Sequence, residues 1–295
     1  MTTNVFSRLI ALFKGAQPDG PFETFFKNGQ LKSRGELRDG QRVGLYESYH
    51  EDGQSLSRGS YKDGAEDGLW EKFSQTGQLI FKGDYREGKP DGLQEWFHIN
   101  GELRERQPYQ DGRKNGQWEL FYDNGQLKSR GNYTEGQRDG PFNIFYKNGQ
   151  LRSKGNHLGD KRDGPYESYH DNGQLESSGA CRDGKKDGSW QTFLVNGQLL
   201  SQGSYNAGKK HGPWETYYDS GQLNTKGEYR NDKQQGPFEE RYENGQFKVK
   251  ANYENGKQDG LYESYEDNGQ LKSRGTFTHG AVTGNYELYK DGVLQ

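Results

Sequence analysis

Gly260-Leu-Tyr-Glu-Ser-Tyr-Glu-Asp-Asn-Gly-Gln-Leu-Lys-Ser-Arg-Gly-Thr-Phe-Thr-His-Gly280 is the stretch whose reading decides the fold. It contains two short runs of alternating side chains joined by Asn268-Gly269, and Asn-Gly between alternating segments is the strongest short signal for a two-residue type I′ hairpin turn. The stretch is therefore one β-hairpin.

The hairpin recurs every 24 residues. Gly20, Gly44, Gly68, Gly92 and so on to Gly284 form one unbroken column, and Gly29, Gly53, Gly77 and so on to Gly269 form a second. Eleven full units span 20–283, with a partial unit running to Gln295. A fixed period of this length is the mark of a repeat architecture. Two domains are expected, 1–19 as a capping segment and 20–295 as the array, which leaves no room for a separate catalytic domain.

If Asn268 and Gly269 are the turn residues, positions whose offsets from the leading glycine sum to 17 face each other. This register sets Glu23 against Arg34, Glu47 against Arg58, Glu71 against Lys82, Glu95 against Arg106, Glu119 against Arg130, Glu215 against Lys226, Glu239 against Lys250 and Glu263 against Arg274. In the eighth unit acid and base are lost together, leaving Gln191 opposite Gln202. The same register lays an aromatic over a glycine, as in Phe22 with Gly35, Trp118 with Gly131 and Trp214 with Gly227, a ring filling the space of a missing side chain. In the fourth unit both members change together, to Gln94 and Gln107. Coordinated exceptions support the register.

Side chains alternate across a strand. One face carries the first aromatic of each unit, the Leu31, Leu79, Leu103 and Leu127 column and the Tyr61, Tyr85 and Tyr133 column. The other carries the Glu/Arg ladder and a second aromatic column that includes Phe25, Tyr49 and Phe73. The expected fold is all-β, an elongated single-sheet antiparallel meander of about 23 strands, on the order of 110 Å at ~4.8 Å per strand. Such a sheet twists.

Composition agrees. The 295 residues are 28% hydrophobic and 28% charged, with 44 glycines, yet 14% are aromatic, so the chain is not a disordered one and something regular buries its rings. A net charge of −3 gives no bulk field for nucleic acid or an anionic membrane. One cysteine, Cys181, excludes an intrachain disulfide and any Cys-rich zinc site. It takes the Tyr position of its column and reads as a small filler.

Residues 1–19 differ in kind. Val5, Phe6, Leu9, Ile10, Leu12 and Phe13 give a broad apolar face, which predicts a short helix capping the first hairpin, with membrane or partner contact through residues 5–13 as the sharper alternative. The stretch is too short to span a bilayer and has no basic region ahead of it, so no signal peptide is expected.

The columns Asn-Gly-Gln-Leu-Lys-Ser-x-Gly-x-Tyr and Asp-Gly-x-Trp/Tyr-Glu-x-Tyr, best seen at Asn124 to Gly140, Asn148 to Tyr169 and Asn268 to Phe277, resemble the variant MORN repeat (membrane occupation and recognition nexus) over roughly 20–295. More narrowly the chain resembles the bacterial antitoxin family labelled YwqK-like. That resemblance implies a non-catalytic antitoxin or immunity protein, cytoplasmic, that neutralises a cognate protein toxin by binding it. The alternatives are a MORN-type scaffold for protein assembly or membrane docking, and a carbohydrate or cell-wall binder.

No catalytic residue, cofactor or metal site is expected. Gly83 to Lys89 and Gly203 to Lys209 spell G-x-x-x-x-G-K, but Pro90 and Lys210 stand where a phosphate-binding loop needs Ser or Thr. His50, His98 and His170 share a column, yet His50 and His98 lie two units, ~19 Å, apart, too far for one ion. Asn132-Tyr133-Thr134 is a glycosylation sequon by spelling only. Specificity belongs where the copies differ most, in the column holding His98, Tyr122, Tyr146, His170, Tyr218 and Tyr242, whose rings suit protein recognition. The plainer role for this column is covering the hairpin ends.

Overall fold

The computed structural model describes residues 19–295, and all regular elements among them are β-strands. The helix expected at the N-terminus falls on residues 1–18, outside the described residues. The chain divides into two compact units, one ending at Gln126 and one from Leu127 to Gln295. In the first unit the strands Gly20–Phe25, Leu31–Arg38, Gln41–Tyr49 and Ser55–Lys62 each pair antiparallel with the next. The succession continues through Leu79–Arg86, Lys89–Phe97 and Leu103–Gln110. The second unit repeats the plan, for instance in Lys185–Phe193, Leu199–Asn206, Lys209–Tyr217 and Leu223–Arg230. Each unit is an antiparallel meander of repeated hairpins.

The expected register holds in the body of the hairpins within each unit. Glu23 faces Arg34, Glu95 faces Arg106 and Glu263 faces Arg274, and Gln191 faces Gln202 with a side-chain hydrogen bond of 3.3 Å. Nearer the turn it shifts by one residue, because Thr24 faces Ser33 while Phe25 faces Leu31.

The reason is a correction to the turn. Asn-Gly does not form a two-residue type I′ turn here. The Phe26 N–H donates to the Gln30 carbonyl at 2.8 Å and the Gly29 N–H to the Phe26 carbonyl at 3.0 Å, which closes a three-residue loop, Lys27 to Gly29. Of the three, Gly29 takes the left-handed conformation, at φ 85°. This is the three-residue hairpin in which a type I turn leads into a left-handed residue. Asn28 serves it differently: its Oδ1 accepts the Gln30 N–H at 3.0 Å, the Asx turn that favours Asn here.

Type I′ geometry appears at the other edge, in the junctions between hairpins. Asp39 and Gly40 have φ 51° and 75°, and Arg38 pairs with Gln41 around them. Asp63, Asp111 and Asp183 repeat the geometry before their glycines. At one junction Ala207 holds φ 49°, a conformation in which its Cβ crowds the carbonyl. Ala207→Gly is expected to stabilise the chain by about 1 kcal/mol, read as a higher urea midpoint. An unchanged or lower midpoint would contradict the assignment.

The core lies on one face. Trp70, Phe81, Phe142, Trp190 and Trp214 are buried. Two of the tryptophans meet the tyrosine column edge to face, Tyr61 with Trp70 at 5.1 Å between centroids and Tyr205 with Trp214 at 5.2 Å, while Phe142 lies tilted against His157 at 4.4 Å. Each fully buried ring contributes about 1.5–3 kcal/mol. Gln94 and Gln107, both 1% exposed, are the coordinated exception of the fourth hairpin. Gln94 donates from Nε2 to the Asp84 carbonyl at 2.6 Å, in the same relation by which Trp70 Nε1 reaches the Ser60 carbonyl and Trp190 Nε1 the Ala180 carbonyl. The amide thus replaces the indole N–H at the position it would have held. Cys181 is buried, a small core residue whose thiol is pushed up by burial.

Candidate interaction surface

The face opposite the rings carries the charges. Arg34 faces Glu23 within its hairpin and also Glu47 across the junction; Arg106 likewise faces Glu95 and Glu119. From Glu23 to Glu119 the ladder is therefore continuous through successive strands and not a set of isolated pairs, while in the second unit Ser178, Gln191 and Gln202 interrupt it. Its ion pairs close in either direction. Arg34 with Glu47, Arg58 with Glu71, Lys82 with Glu95 (3.0 Å) and Lys154 with Glu167 (2.9 Å) close across junctions. Lys226 with Glu215 (3.1 Å) and Arg274 with Glu263 (2.7 Å) close within hairpins. Arg106 holds both neighbours, Glu95 at 3.1 Å and Glu119 at 3.3 Å.

The second aromatic column anchors this ladder. Tyr217 Oη donates to Glu215 Oε2 at 2.7 Å and Tyr265 Oη to Glu263 Oε2 at 2.6 Å. The hydrogen bonds from Tyr217, Gln202 and Lys226 hold the Glu215 carboxyl down at about 2. Burial and the adjacent Glu263 carboxylate push Tyr265 up to about 12. At Glu95 burial alone would raise the pKa, but Lys82 and Arg106 more than offset it and the net shift is downward. Such acids stay ionised at neutral pH and serve as hydrogen-bond acceptors. A carboxyl whose folded pKa is depressed stabilises the fold above its unfolded value of about 4.5, and that contribution is lost as pH falls towards about 2. Glu215→Gln is therefore expected to flatten the stability profile between those limits, read from urea midpoints across pH. A profile as steep as the wild type's would contradict this.

Beside the ladder runs a row that the sequence reading did not single out. Pro21, Leu45, Leu69 and Leu93 occupy the position after the leading glycine, two residues before the ladder acid and so on its face. Leu45, Leu69 and Leu93 are 79%, 50% and 38% exposed. Between the two rows the aromatic column turns its rings to the core and the glycine column facing it has no side chain, so backbone forms the floor of a groove. Its depressions recur with the repeat. One of about 530 Å³ lies among Pro21, Arg34, Leu45 and Glu47, and one of about 200 Å³ among Leu45, Arg58, Leu69 and Glu71. In the second unit one of about 440 Å³ lies among Gln191, Gln202, Pro213 and Glu215. The signal was present in the sequence as parity: the row and the ladder acid share an alternation phase.

The residues expected to bind a partner sit elsewhere, at the start of each three-residue loop, half-buried. Their tips reach the next repeat. His98 Nε2 lies 3.3 Å from the Phe121 carbonyl and His170 Nε2 3.0 Å from that of Phe193. Tyr146, Tyr218 and Tyr242 donate from Oη to the carbonyls of Tyr169, Arg241 and Tyr265 at 2.8, 2.7 and 3.0 Å. Tyr122 holds the equivalent place and is likewise half-buried. Asn100, Asn148 and Asn172 add a parallel series, their Nδ2 groups donating to carbonyls one repeat on at 2.7–2.9 Å. The column ties loop to loop. The run Gly203 to Lys209 is strand and type I′ turn, not a phosphate-binding loop.

Sequence reasoning also missed a column of cations over the core rings. Lys186 Nζ lies 4.2 Å from the centre of Trp190 and Lys210 Nζ 4.3 Å from Trp214. Burial lowers the pKa of both lysines, and the rings offset part of that cost.

A family model described as MORN repeat variant matches residues 18–39, 42–63, 66–87, 90–111, 114–135, 138–158, 162–179, 210–231, 234–255 and 258–279. The chain belongs to the MORN repeat variant family. This makes it a repeat scaffold of the kind suited to protein or membrane interaction. Residues 180–209 escape the model, yet Gly188 faces Tyr205 and Trp190 faces Gly203 in the ordinary MORN register, so this hairpin diverges in sequence only. No curated protein matches the chain. Among solved structures it is similar to the complex of TcdB2 with TccC3, at 13% identity over 92% of this chain and TM-score 0.20. It is also similar to the Tc holotoxin pore of Photorhabdus luminescens, at 13% identity over 92% and TM-score 0.19. This chain spans 17% of the length of each of those chains, and so slight a likeness carries no weight for fold or function. Among the described residues no helix is long and apolar enough to cross a membrane.

Proposed function

We propose that this MORN protein acts without catalysis, as a platform that sequesters a protein partner on the ladder face of its first unit. The exposed row Pro21, Leu45, Leu69 and Leu93 carries the reading. Along the sheet these side chains alternate with Glu36, Ser60 and Asp84, which makes them spaced apolar anchors in a polar surround, the arrangement by which a few buried side chains hold a protein partner. The flanking ladder, already satisfied internally, supplies orientation at little cost in unpaired charge. The partner we propose is a cognate protein toxin in a bacterial cytoplasm, with this chain as its antitoxin or immunity protein. The YwqK-like resemblance supports that finer assignment.

The test is co-expression with the product of the adjoining reading frame. The chain is expected to restore growth and to co-purify with that product. Single substitutions of ladder or loop residues, such as Glu95→Gln, His98→Ala or His170→Ala, are expected to leave rescue intact, because binding energy spread over a face has no single reacting group. Loss of rescue in one of them with binding retained would point to an enzyme. Failure of the wild type to bind the adjoining product would overturn the antitoxin assignment.

A further inference from the structure

The repeats serve as one another's controls, and one site breaks their pattern in two places at once. The Asp before a leading glycine accepts a backbone N–H from the next junction turn: Asp91 takes that of Asp111 at 3.2 Å, Asp163 that of Asp183 at 3.2 Å and Asp259 that of His279 at 2.9 Å. At two junctions the side chain five residues before this Asp is a cation that pairs with it, Arg86 with Asp91 at 2.7 Å and Arg182 with Asp187 at 3.4 Å. At Asp259 that position is Glu254, the acidic member of a column otherwise made of Arg38, Lys62, Arg86, Gln110, Thr134, Leu158, Arg182, Asn206, Arg230 and Thr278. The turn position facing Asp259 is His279, the one imidazole in a column of Asp, Glu, Asn, Gly and Ala. Both departures converge on one carboxylate.

The outcome is a set of one nitrogen and two oxygen donors. Ligand atoms of Glu254, Asp259 and His279 all lie within 4.8 Å of one another, and His279 Nδ1 is 3.6 Å from Asp259 Oδ2. Two carboxylates lie together where Arg86 with Asp91 and Arg182 with Asp187 set an ion pair. Among the described residues Glu254 forms no ion pair, although Lys257 faces it across the Asn255-Gly256 turn. The three side chains come from separate turns and strand ends; Glu254 and His279 are exposed and Asp259 partly so.

We propose that Glu254, Asp259 and His279 bind a divalent transition-metal ion of the zinc class at the junction edge of the second unit. An imidazole with two carboxylates suits Zn²⁺, Ni²⁺ or Co²⁺ and disfavours Mg²⁺ and Ca²⁺, which take oxygen alone. An ion there is exposed on one side and keeps water in its remaining positions. The expectation of no metal site came from the His50 column. It did not bring these three together, because they lie 5 and 20 residues apart in sequence and meet only through the stacking of junction turns.

Isothermal titration of the full chain with zinc chloride tests this, with magnesium and calcium chlorides as controls. One saturable site per chain is expected, with little heat from magnesium or calcium. His279→Asn keeps a residue that tolerates the left-handed turn, and it should weaken zinc binding at least tenfold with the thermal midpoint unchanged. Glu254→Arg restores the pairing of Arg86 with Asp91; it should abolish binding while leaving the midpoint the same or higher. Zinc binding that survives in His279→Asn would overturn the proposal. So would absence of zinc binding in the wild type. Calcium bound as tightly as zinc would overturn the assignment of metal class.

Discussion

Gly203→Ala is expected to destabilise the second unit by about 3 kcal/mol, although it adds a single methyl to a strand where Ala is otherwise welcome. The Trp214 ring lies directly on Gly203, and a Cβ there would fall inside the indole's van der Waals envelope. The ring has no room to retreat, being buried, wedged edge-on against Tyr205 and covered by Lys210. Gly155 makes the comparison. There a Cβ would stand 3.0 Å from the Phe142 ring, a smaller overlap, and the cost should be about 1 kcal/mol. Urea midpoints of the two variants, with circular dichroism as the folding control, read the difference. Equal costs would show that the rings move freely and that the glycine column is not set by packing.

The second large effect concerns the ladder. Glu95→Arg places a cation between Lys82 and Arg106 at a site whose carboxylate side chain is 8% exposed. The loss should be about 3–5 kcal/mol, the cost of breaking a buried pair. If the ladder were built of isolated hairpin pairs, adding Arg106→Glu would restore most of it. Because the ladder is continuous, the swap sets the new cation against Lys82 and the new acid against Glu119, so less than half should return. Full recovery in the double variant would contradict continuity.

These two cases show which features were legible in the sequence. The hairpin register was readable because each partner records the other: Gln191 with Gln202 and Gln94 with Gln107 change as pairs, and the structure sets each pair face to face. The turn type was not. Asn-Gly supports both a type I′ turn and the bulged three-residue loop, and the same three-residue loop forms around Thr76-Gly77 and Ser220-Gly221, so the dipeptide does not decide between them. The glycine column was paired with the ring of its own hairpin. The structure faces Trp214 with both Gly203 and Gly227, and it lies closest to Gly203, in the hairpin before it. Each strand has two neighbours, and a reading that folds one hairpin at a time sees one of them. The same blind spot hid the second half of the ladder and the loop-to-loop bonds of Tyr146, Tyr218 and Tyr242.

The central claim is that the ladder face receives the partner while the loop column holds the array together. The direct measurement compares two triple variants side by side, for thermal midpoint and for affinity towards the product of the adjoining reading frame. Leu45→Asp with Leu69→Asp and Leu93→Asp should leave the midpoint nearly unchanged and weaken binding at least 100-fold, as loss of about 3 kcal/mol from an apolar anchor row implies. Tyr146→Ser with Tyr218→Ser and Tyr242→Ser should lower the midpoint, because three inter-repeat hydrogen bonds are lost, while the fraction that remains folded binds normally. The reverse result, with binding lost in a fully stable tyrosine variant and retained in the leucine variant, would contradict the account and return the interface to the loop edge.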